Sequence, residues 1–340
     1  MKAETRDSQG GTRVNRDALA AYLRWHLTDG QIAGLRLDDE VQVTPAAGPH
    51  ATPTYVVRLG GAELLLQIAD TAAHPERPDV AREFQWLTAL HPLYDLAPRP
   101  FLLCEDASVL GATFSIVERR RGVVITEGEE PLPLAGHPTH RREASEAAVD
   151  ALVALHDVDA TLPAIAAVDA PDGYLDRRVR EALDRWHRAR TAPVPDMDAV
   201  ALWLSANEPP GTLDPSVVHG GYVPSALLVN PLAPAEASAV LGWSLAALGD
   251  PLCDVAVMIA TWQAMADGHG DSGSARPGYL GRDDMADRYA QRSGRDLSAL
   301  PFYEVLALFR LALDSRRLGA GGRARYFGAR ARSVASATTR

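Results

Sequence analysis

The sequence contains almost no lysine: Lys2 is the only one among its 34 lysine and arginine residues. Every other basic residue is an arginine, which indicates a coding bias toward GC-rich codons. The folded body therefore has no lysine to grip a phosphate, form a Schiff base or act as a nucleophile. Any such role falls to arginine or is absent.

Other features are also scarce, and each scarcity excludes a class of protein. Cys104 and Cys253 are the only cysteines and lack metal-ligand spacing, so we expect a reduced, cytoplasmic setting with both thiols packed in the interior. No apolar run approaches the roughly 18 residues of a membrane span. The net charge of −10 argues against a nucleic-acid partner. The N-terminus lacks the apolar core of a signal peptide, and residues 1–13 are predicted to be a disordered tail.

The first third of the chain has the pattern of a small β-rich lobe. Two apolar, partly β-branched runs, Thr54–Leu59 and Ala62–Ile68, are separated by two glycines, which is a strong hairpin signal. A helix is predicted over Val80–Leu90, with Asp79 as its N-cap, and a further strand over Thr113–Glu118. The order of strand, strand, helix and strand is that of a kinase-type small lobe.

The remainder of the chain is predicted to be mainly helical. Residues 267–284 are rich in Gly, Ser and Asp and are predicted to form a long mobile loop. Apolar periodicity predicts helices over residues 17–28, 143–156, 176–188, 197–207, 254–265 and 303–318.

Two loops resemble the catalytic and metal loops of aminoglycoside phosphotransferase-like kinases. Residues 217–229 resemble the H-G-D-x-x-x-x-N loop, with Gly221 at the Asp position and Ala226 at the Asn position. Residues 240–254 resemble the D-W-E-x-A-x-x-G-D-P-x-x-D loop, with Gly242 at the metal-binding Asp position. Gln67 lies where a strand of the family delivers Lys or Arg to the nucleotide phosphates.

Four further segments extend this resemblance along most of the chain, toward the branch associated with acyl-CoA dehydrogenases. They are R-E-F-Q-W-L at 82–87, P-R-P-F-L-L-C-E-D at 98–106, L-V-A-L-H at 152–156 and L-F-R-L-A at 308–312. The resemblance implies an α+β, bilobal protein-kinase-like fold. It places an N-lobe over residues 14–118 and a helical C-lobe over residues 119–340, with a ligand cleft between them.

In the family, the loop Asp accepts the proton of the attacking hydroxyl, and the loop Asn and the later Asp hold magnesium. Gly221 has no side chain for the first role, and Ala226 and Gly242 offer magnesium no side-chain oxygen. Gln67 carries no charge to neutralise phosphate. We therefore expect no bound metal and no cofactor.

Three functions remain open. The first is a catalytically degenerate kinase fold that binds a small molecule, expected to be apolar or aromatic, or a protein partner. The second is an enzyme that reuses the cleft for an isomerisation, cyclisation or elimination in a biosynthetic pathway. The third is a residual phosphotransferase.

The candidate site residues are the polar and aromatic side chains that remain around these altered positions. His219 is either structural or a base, Asp250 and Asp254 either brace the following helix or act in catalysis, and Glu83 either pairs with an arginine such as Arg58 or points into an open cleft. The candidate ligand contacts are His50, Gln67, Tyr222, Trp243, Trp262 and Tyr303.

Overall fold

The computed structural model describes residues 14–46, 52–69, 80–126, 129–170, 173–190, 193–210, 214–269 and 275–338. The chain divides into two compact units: residues 1–120 with 243–245, and residues 121–242 with 246–340. The predicted tail, His50 and the Asp79 N-cap lie outside the described residues. No helix within the described ranges combines the length and apolar character that crossing a membrane would require.

Among the described residues, the first unit consists of an antiparallel sheet and three α-helices. Its elements are α1 (Arg16–His26), β1 (Gln42–Pro45), β2 (Thr54–Leu59), β3 (Ala62–Ile68), α2 (Val80–Leu90), β4 (Pro100–Cys104), α3 (Ala107–Leu110) and β5 (Phe114–Glu118). The strand order is β1-β2-β3-β5-β4. Alternate strand residues such as Leu64 and Leu66 are buried and pack with Leu19 and Leu23 of α1, as the period of a strand requires. The hairpin prediction is confirmed at both of its strands.

The second unit is mainly helical. Its elements are β6 (Val123–Val124), α4 (Pro138–His156), α5 (Pro163–Ala166), α6 (Tyr174–Ala189), α7 (Pro195–Ala206), β7 (Ser216–Val218), β8 (Leu227–Asn230), β9 (Ala233–Val240), β10 (Ala247–Gly249), α8 (Leu252–Ala266), α9 (Arg282–Ser293), α10 (Leu300–Arg317) and α11 (Gly321–Thr338). β6, β8 and β9 form one small antiparallel sheet, and β7 pairs with β10. The core of α8 and α10 includes Trp262 and Phe309, which are fully buried.

The structure differs from the sequence-based expectation at several elements. The elements that were not predicted are strands β1, β4, β6 and β10 and helices α3, α5, α9 and α11. The predicted long loop over 267–284 ends earlier than expected, because α9 begins at Arg282. The two cysteines are buried and free, as predicted.

Candidate functional site

The His219 loop (residues 219–226) and Gly242 are brought together by the pairing of β8 with β9. The loop follows β7 and ends in a short 3₁₀ turn, Pro224–Ala226, before β8 begins. The Leu241 amide then donates to the Ala226 carbonyl at 2.8 Å. This bond places Gly242 directly after the residue that contacts Ala226. The structure therefore joins two of the positions that resemble metal ligands, and neither has a side-chain oxygen.

Asp254 is the residue that holds the His219 loop in place. Its carboxylate oxygens accept hydrogen bonds from the backbone amides of His219 at 2.5 Å and Gly220 at 2.9 Å. His156 Nε2 lies 3.4 Å from the same carboxylate, and Tyr289 Oη lies 2.7 Å from His156 Nδ1. Tyr289 therefore donates to Nδ1 when Nε2 carries the proton toward Asp254. Asp254 is 1% exposed, and its carboxylate is already hydrogen-bonded by neighbouring groups of the protein.

The charge of Asp254 is maintained by these partners. Burial raises its pKa, but the contacts with His156 and the backbone amide of His219 outweigh burial, so the pKa is lowered. The carboxylate therefore stays ionised, and its role here is to brace the loop. A long-range cluster of this kind gives no local sequence signal, and sequence reasoning missed His156 and Tyr289 as its members.

His219 and Tyr222 are both buried in the second unit. His219 Nε2 lies 2.9 Å from the Leu241 carbonyl, and its imidazole packs edge-on against the Tyr222 ring. Burial lowers the pKa of His219 and favours the neutral ring. The Tyr222 hydroxyl donates to the Ala148 carbonyl at 2.9 Å. Both side chains are engaged with the backbone of their own unit.

The other candidates of the second unit are also buried. Asp250 accepts hydrogen bonds from the Leu252 amide at 3.0 Å and from the Tyr303 hydroxyl. Burial and this bond raise the pKa of Tyr303. Trp262 packs its ring edge-on against Tyr279. Asp250 thus braces the start of α8, the bracing role considered for it from the sequence.

In the first unit, Glu83 has neither of the two environments considered for it. Arg58 is not its partner, because Arg58 faces Glu63 across the β2–β3 hairpin and binds it at 2.7 Å. An open surrounding is also excluded, because Glu83 is 6% exposed. Its carboxylate instead accepts the backbone amide of Trp243 at 3.2 Å.

Gln67 takes part in the same environment of Glu83. Its carbonyl oxygen accepts the Ser115 hydroxyl at 3.2 Å, and its side chain also hydrogen-bonds to Glu83. Burial raises the pKa of Glu83, against the smaller lowering effects of Trp243 and Gln67. A neutral glutamine beside a carboxylate of raised pKa replaces the charged pair that the family resemblance implied.

The second unit also contains a cavity that none of the predicted site residues lines. Its volume is about 470 Å³, and it lies among α6, α7, α10 and α11. Its walls are largely apolar, with the charged groups Asp196, Arg316 and Arg325 among them. Sequence reasoning missed this cavity because one wall is α11, which was not predicted.

These features define a protein-kinase-like scaffold of the small-molecule phosphotransferase class. A family model described as the phosphotransferase enzyme family, APH, matches residues 42–302, and the chain belongs to that family. The predicted α+β, protein-kinase-like fold is confirmed.

Individual relatives agree with this assignment. The chain is 28% identical over 254 residues to "Acyl-CoA dehydrogenase family member 10" of Mus musculus, a match that covers 74% of this chain and 23% of the mouse protein. The chain thus spans about a quarter of that relative's length.

Solved structures show the same fold. A protein from Ralstonia eutropha JMP134, provisionally described as an aminoglycoside phosphotransferase, is 25% identical with a TM-score of 0.76, covering 95% of this chain and 99% of its own. A thermostable mutant of aminoglycoside phosphotransferase APH(4)-Ia is 15% identical with a TM-score of 0.59, covering 88% of this chain and 96% of its own.

Proposed function

We propose that this protein is a catalytically degenerate member of the phosphotransferase family that binds a small molecule and does not transfer phosphate. The observation that carries the proposal is that Ala226 is hydrogen-bonded to the segment that contains Gly242, and neither residue has a side-chain oxygen. The Asp254 carboxylate beside them already accepts the backbone amides of the His219 loop. Gly221 has no proton acceptor, which alone costs about 10²–10⁴ in rate.

A magnesium-bound nucleotide does not fit the residues present. An added Cβ at Gly242 would meet nothing within 4 Å, so the space beside this position is not filled by another side chain. Asp250 and Asp254 are buried and bonded to Tyr303 and to backbone amides. Within the described ranges, no three His, Cys, Asp or Glu side chains are grouped to hold a metal ion. Without a metal, the charge of a triphosphate has no main neutraliser.

The binding half of the proposal is supported by the cavity among α6, α7, α10 and α11. Its volume of about 470 Å³ lies within the range of pockets that take small ligands, roughly 300–1,000 Å³. Apolar walls with a few charged groups suit an apolar or aromatic molecule. Trp186 is among the residues that line the cavity.

The alternative of an enzyme that reuses the cleft has less support, because the best candidate base, His219, is already hydrogen-bonded to the backbone. His219 is buried, its Nε2 faces a carbonyl and its pKa is lowered by burial. A base must reach its substrate.

The binding proposal can be tested with a fluorescent aromatic probe, 1-anilinonaphthalene-8-sulfonate. Ala324 lines the cavity, so Ala324→Trp should fill it and reduce probe binding by about tenfold. Ala337→Trp, on an exposed position of the same helix outside the lining, is the matched control and should bind the probe as the wild type does. Equal binding of the probe by both variants would contradict the assignment of this cavity as the binding site.

A further inference from the structure

The cavity among α6, α7, α10 and α11 has two arginines and one aspartate in its lining. Arg316 lies in the last turn of α10, Arg325 in the second turn of α11 and Asp196 in the first turn of α7. These three residues are exposed, whereas Met197 and Ala312 of the same lining are buried. The cavity therefore has a charged mouth and an apolar interior.

The protein does not neutralise the two arginines at this mouth. Asp314, two positions before Arg316, forms its ion pair with Arg185. In the part of the chain that the structure describes, neither Arg316 nor Arg325 has an ion pair or a side-chain hydrogen bond, and Asp196 pairs with neither. One exposed arginine without a partner is ordinary. Two of them against one aspartate leave the mouth of an apolar cavity with a net positive charge.

Arg316 is restrained at the wall of the cavity by an aromatic contact. Its guanidinium carbon lies 5.9 Å from the centre of the Trp186 ring, and Trp186 lines the same cavity. A guanidinium over an aromatic face is attracted to the ring and still keeps its N–H donors. A side chain that is already positioned loses less entropy when an anion binds to it.

The chain that forms this side of the cavity is strongly basic. Residues 315–340 contain seven arginines and no acidic residue, although the whole chain has a net charge of −10. Positive charge that is concentrated in one region of an acidic protein raises the local concentration of anions there. The overall charge distribution thus favours a negatively charged ligand at this mouth.

We propose that the cavity binds an apolar organic anion, of the class of aromatic carboxylates, with its apolar body inside and its anionic group bound by Arg316 and Arg325. Guanidinium groups recognise a carboxylate through charge-assisted hydrogen bonds. Asp196 at the same mouth repels further negative charge, so a monoanion is favoured over a polyphosphate. This inference rests on the proposed function and adds to it the charge of the ligand.

The test compares two fluorescent probes that share an aromatic body and differ in charge. They are 1-anilinonaphthalene-8-sulfonate and the neutral N-phenyl-1-naphthylamine, which lacks the sulfonate, and each is titrated into the whole protein. Arg316→Gln and Arg325→Gln should each weaken binding of the sulfonate by about threefold to tenfold and leave the neutral probe unchanged. Asp196→Asn should have the opposite effect and tighten binding of the sulfonate alone.

Two matched controls remove the same charge outside the cavity. Arg317 and Arg332 are exposed residues of α10 and α11 that do not line it. Arg317→Gln and Arg332→Gln should leave the binding of both probes unchanged. Equal weakening of sulfonate binding in the control and cavity variants would overturn the proposal, and so would equal weakening of both probes by Arg316→Gln and Arg325→Gln.

Ala324→Trp separates this inference from the proposed function. If it weakens both probes while Arg316→Gln and Arg325→Gln change neither, the cavity binds without regard to charge. The proposed function then stands and the anionic ligand is contradicted. If Ala324→Trp weakens neither probe, the cavity is not the binding site, and both proposals are contradicted. Thermal midpoints near that of the wild type verify that the charge variants, all at exposed positions, remain folded.

Discussion

The Glu83 carboxylate accepts a hydrogen bond from the backbone amide of Trp243 at 3.2 Å. In the family that the chain resembles, this glutamate is expected to pair with a cation on a strand. Here the strand position is Gln67, and the carboxylate is satisfied by an amide donor and a neutral side chain. The first unit has thus replaced a charged pair by neutral hydrogen bonds.

Glu83→Gln should change the pH dependence of stability. Burial raises the pKa of Glu83, so the folded state holds its proton more tightly than the unfolded state, whose pKa is about 4.3. Wild-type stability is therefore lost as pH rises through the folded-state pKa. The stability of Glu83→Gln relative to wild type should therefore increase as pH rises above the unfolded-state pKa of about 4.3. Denaturant unfolding at several pH values measures this, and Glu40→Gln, at an exposed position of the same unit, should show no such trend.

Asp254→Ala should destabilise the second unit strongly. It removes the acceptor of the His219 and Gly220 amides and the partner of His156. The expected loss is about 3–5 kcal/mol in the free energy of unfolding. Because the pKa of Asp254 is lowered, its contribution is present above an unfolded-state pKa of about 3.9 and is lost as pH falls. Asp176→Ala, at an exposed position, should cost little, and an equally small loss at Asp254 would contradict its bracing role.

Gly249→Ala and Gly322→Ala should have opposite effects on stability. At Gly249 the added methyl would meet the Tyr174 ring at 2.5 Å, and relieving that overlap costs about 1–3 kcal/mol. At Gly322, in the first turn of α11, it meets nothing within 4 Å and should stabilise by up to about 1 kcal/mol. Thermal unfolding of the two variants side by side measures both effects. If Gly249→Ala leaves the stability unchanged, the packing of Tyr174 on Gly249 is contradicted.

The combined variant Gly221→Asp, Ala226→Asn and Gly242→Asp should not recover a kinase. Gly242 has a φ of +83°, which an aspartate adopts only with strain. Gln67 would also remain neutral. Magnesium titration should show at most weak binding, and robust phosphotransfer by the triple variant would show that the nucleotide site is otherwise intact.

The sequence predicted local elements well where a strong signal was present. The β2–β3 hairpin is marked by Gly60 and Gly61 between β-branched runs, and its bounds agree with the structure. Helix α11 has no such signal, because its buried face consists of Phe327, Gly328, Ala331 and Ala335. A face of small residues produces little contrast in apolar periodicity.

The candidate site could be predicted only in part, because many of its contacts join distant segments of the chain. The two loops were identified by their motifs, and β8–β9 pairing brings them together. The partners of each buried side chain come from distant segments, as His156 and Tyr289 do for Asp254. Tertiary contacts of this separation leave no local pattern.

Following the γ-phosphate of labelled ATP, in the presence of magnesium and hydroxyl acceptors, shows whether this family member transfers phosphate. We expect release and transfer at the level of buffer alone, unchanged when magnesium is chelated. Magnesium-dependent turnover that is lost in Asp250→Asn but retained in Asp267→Asn would contradict it.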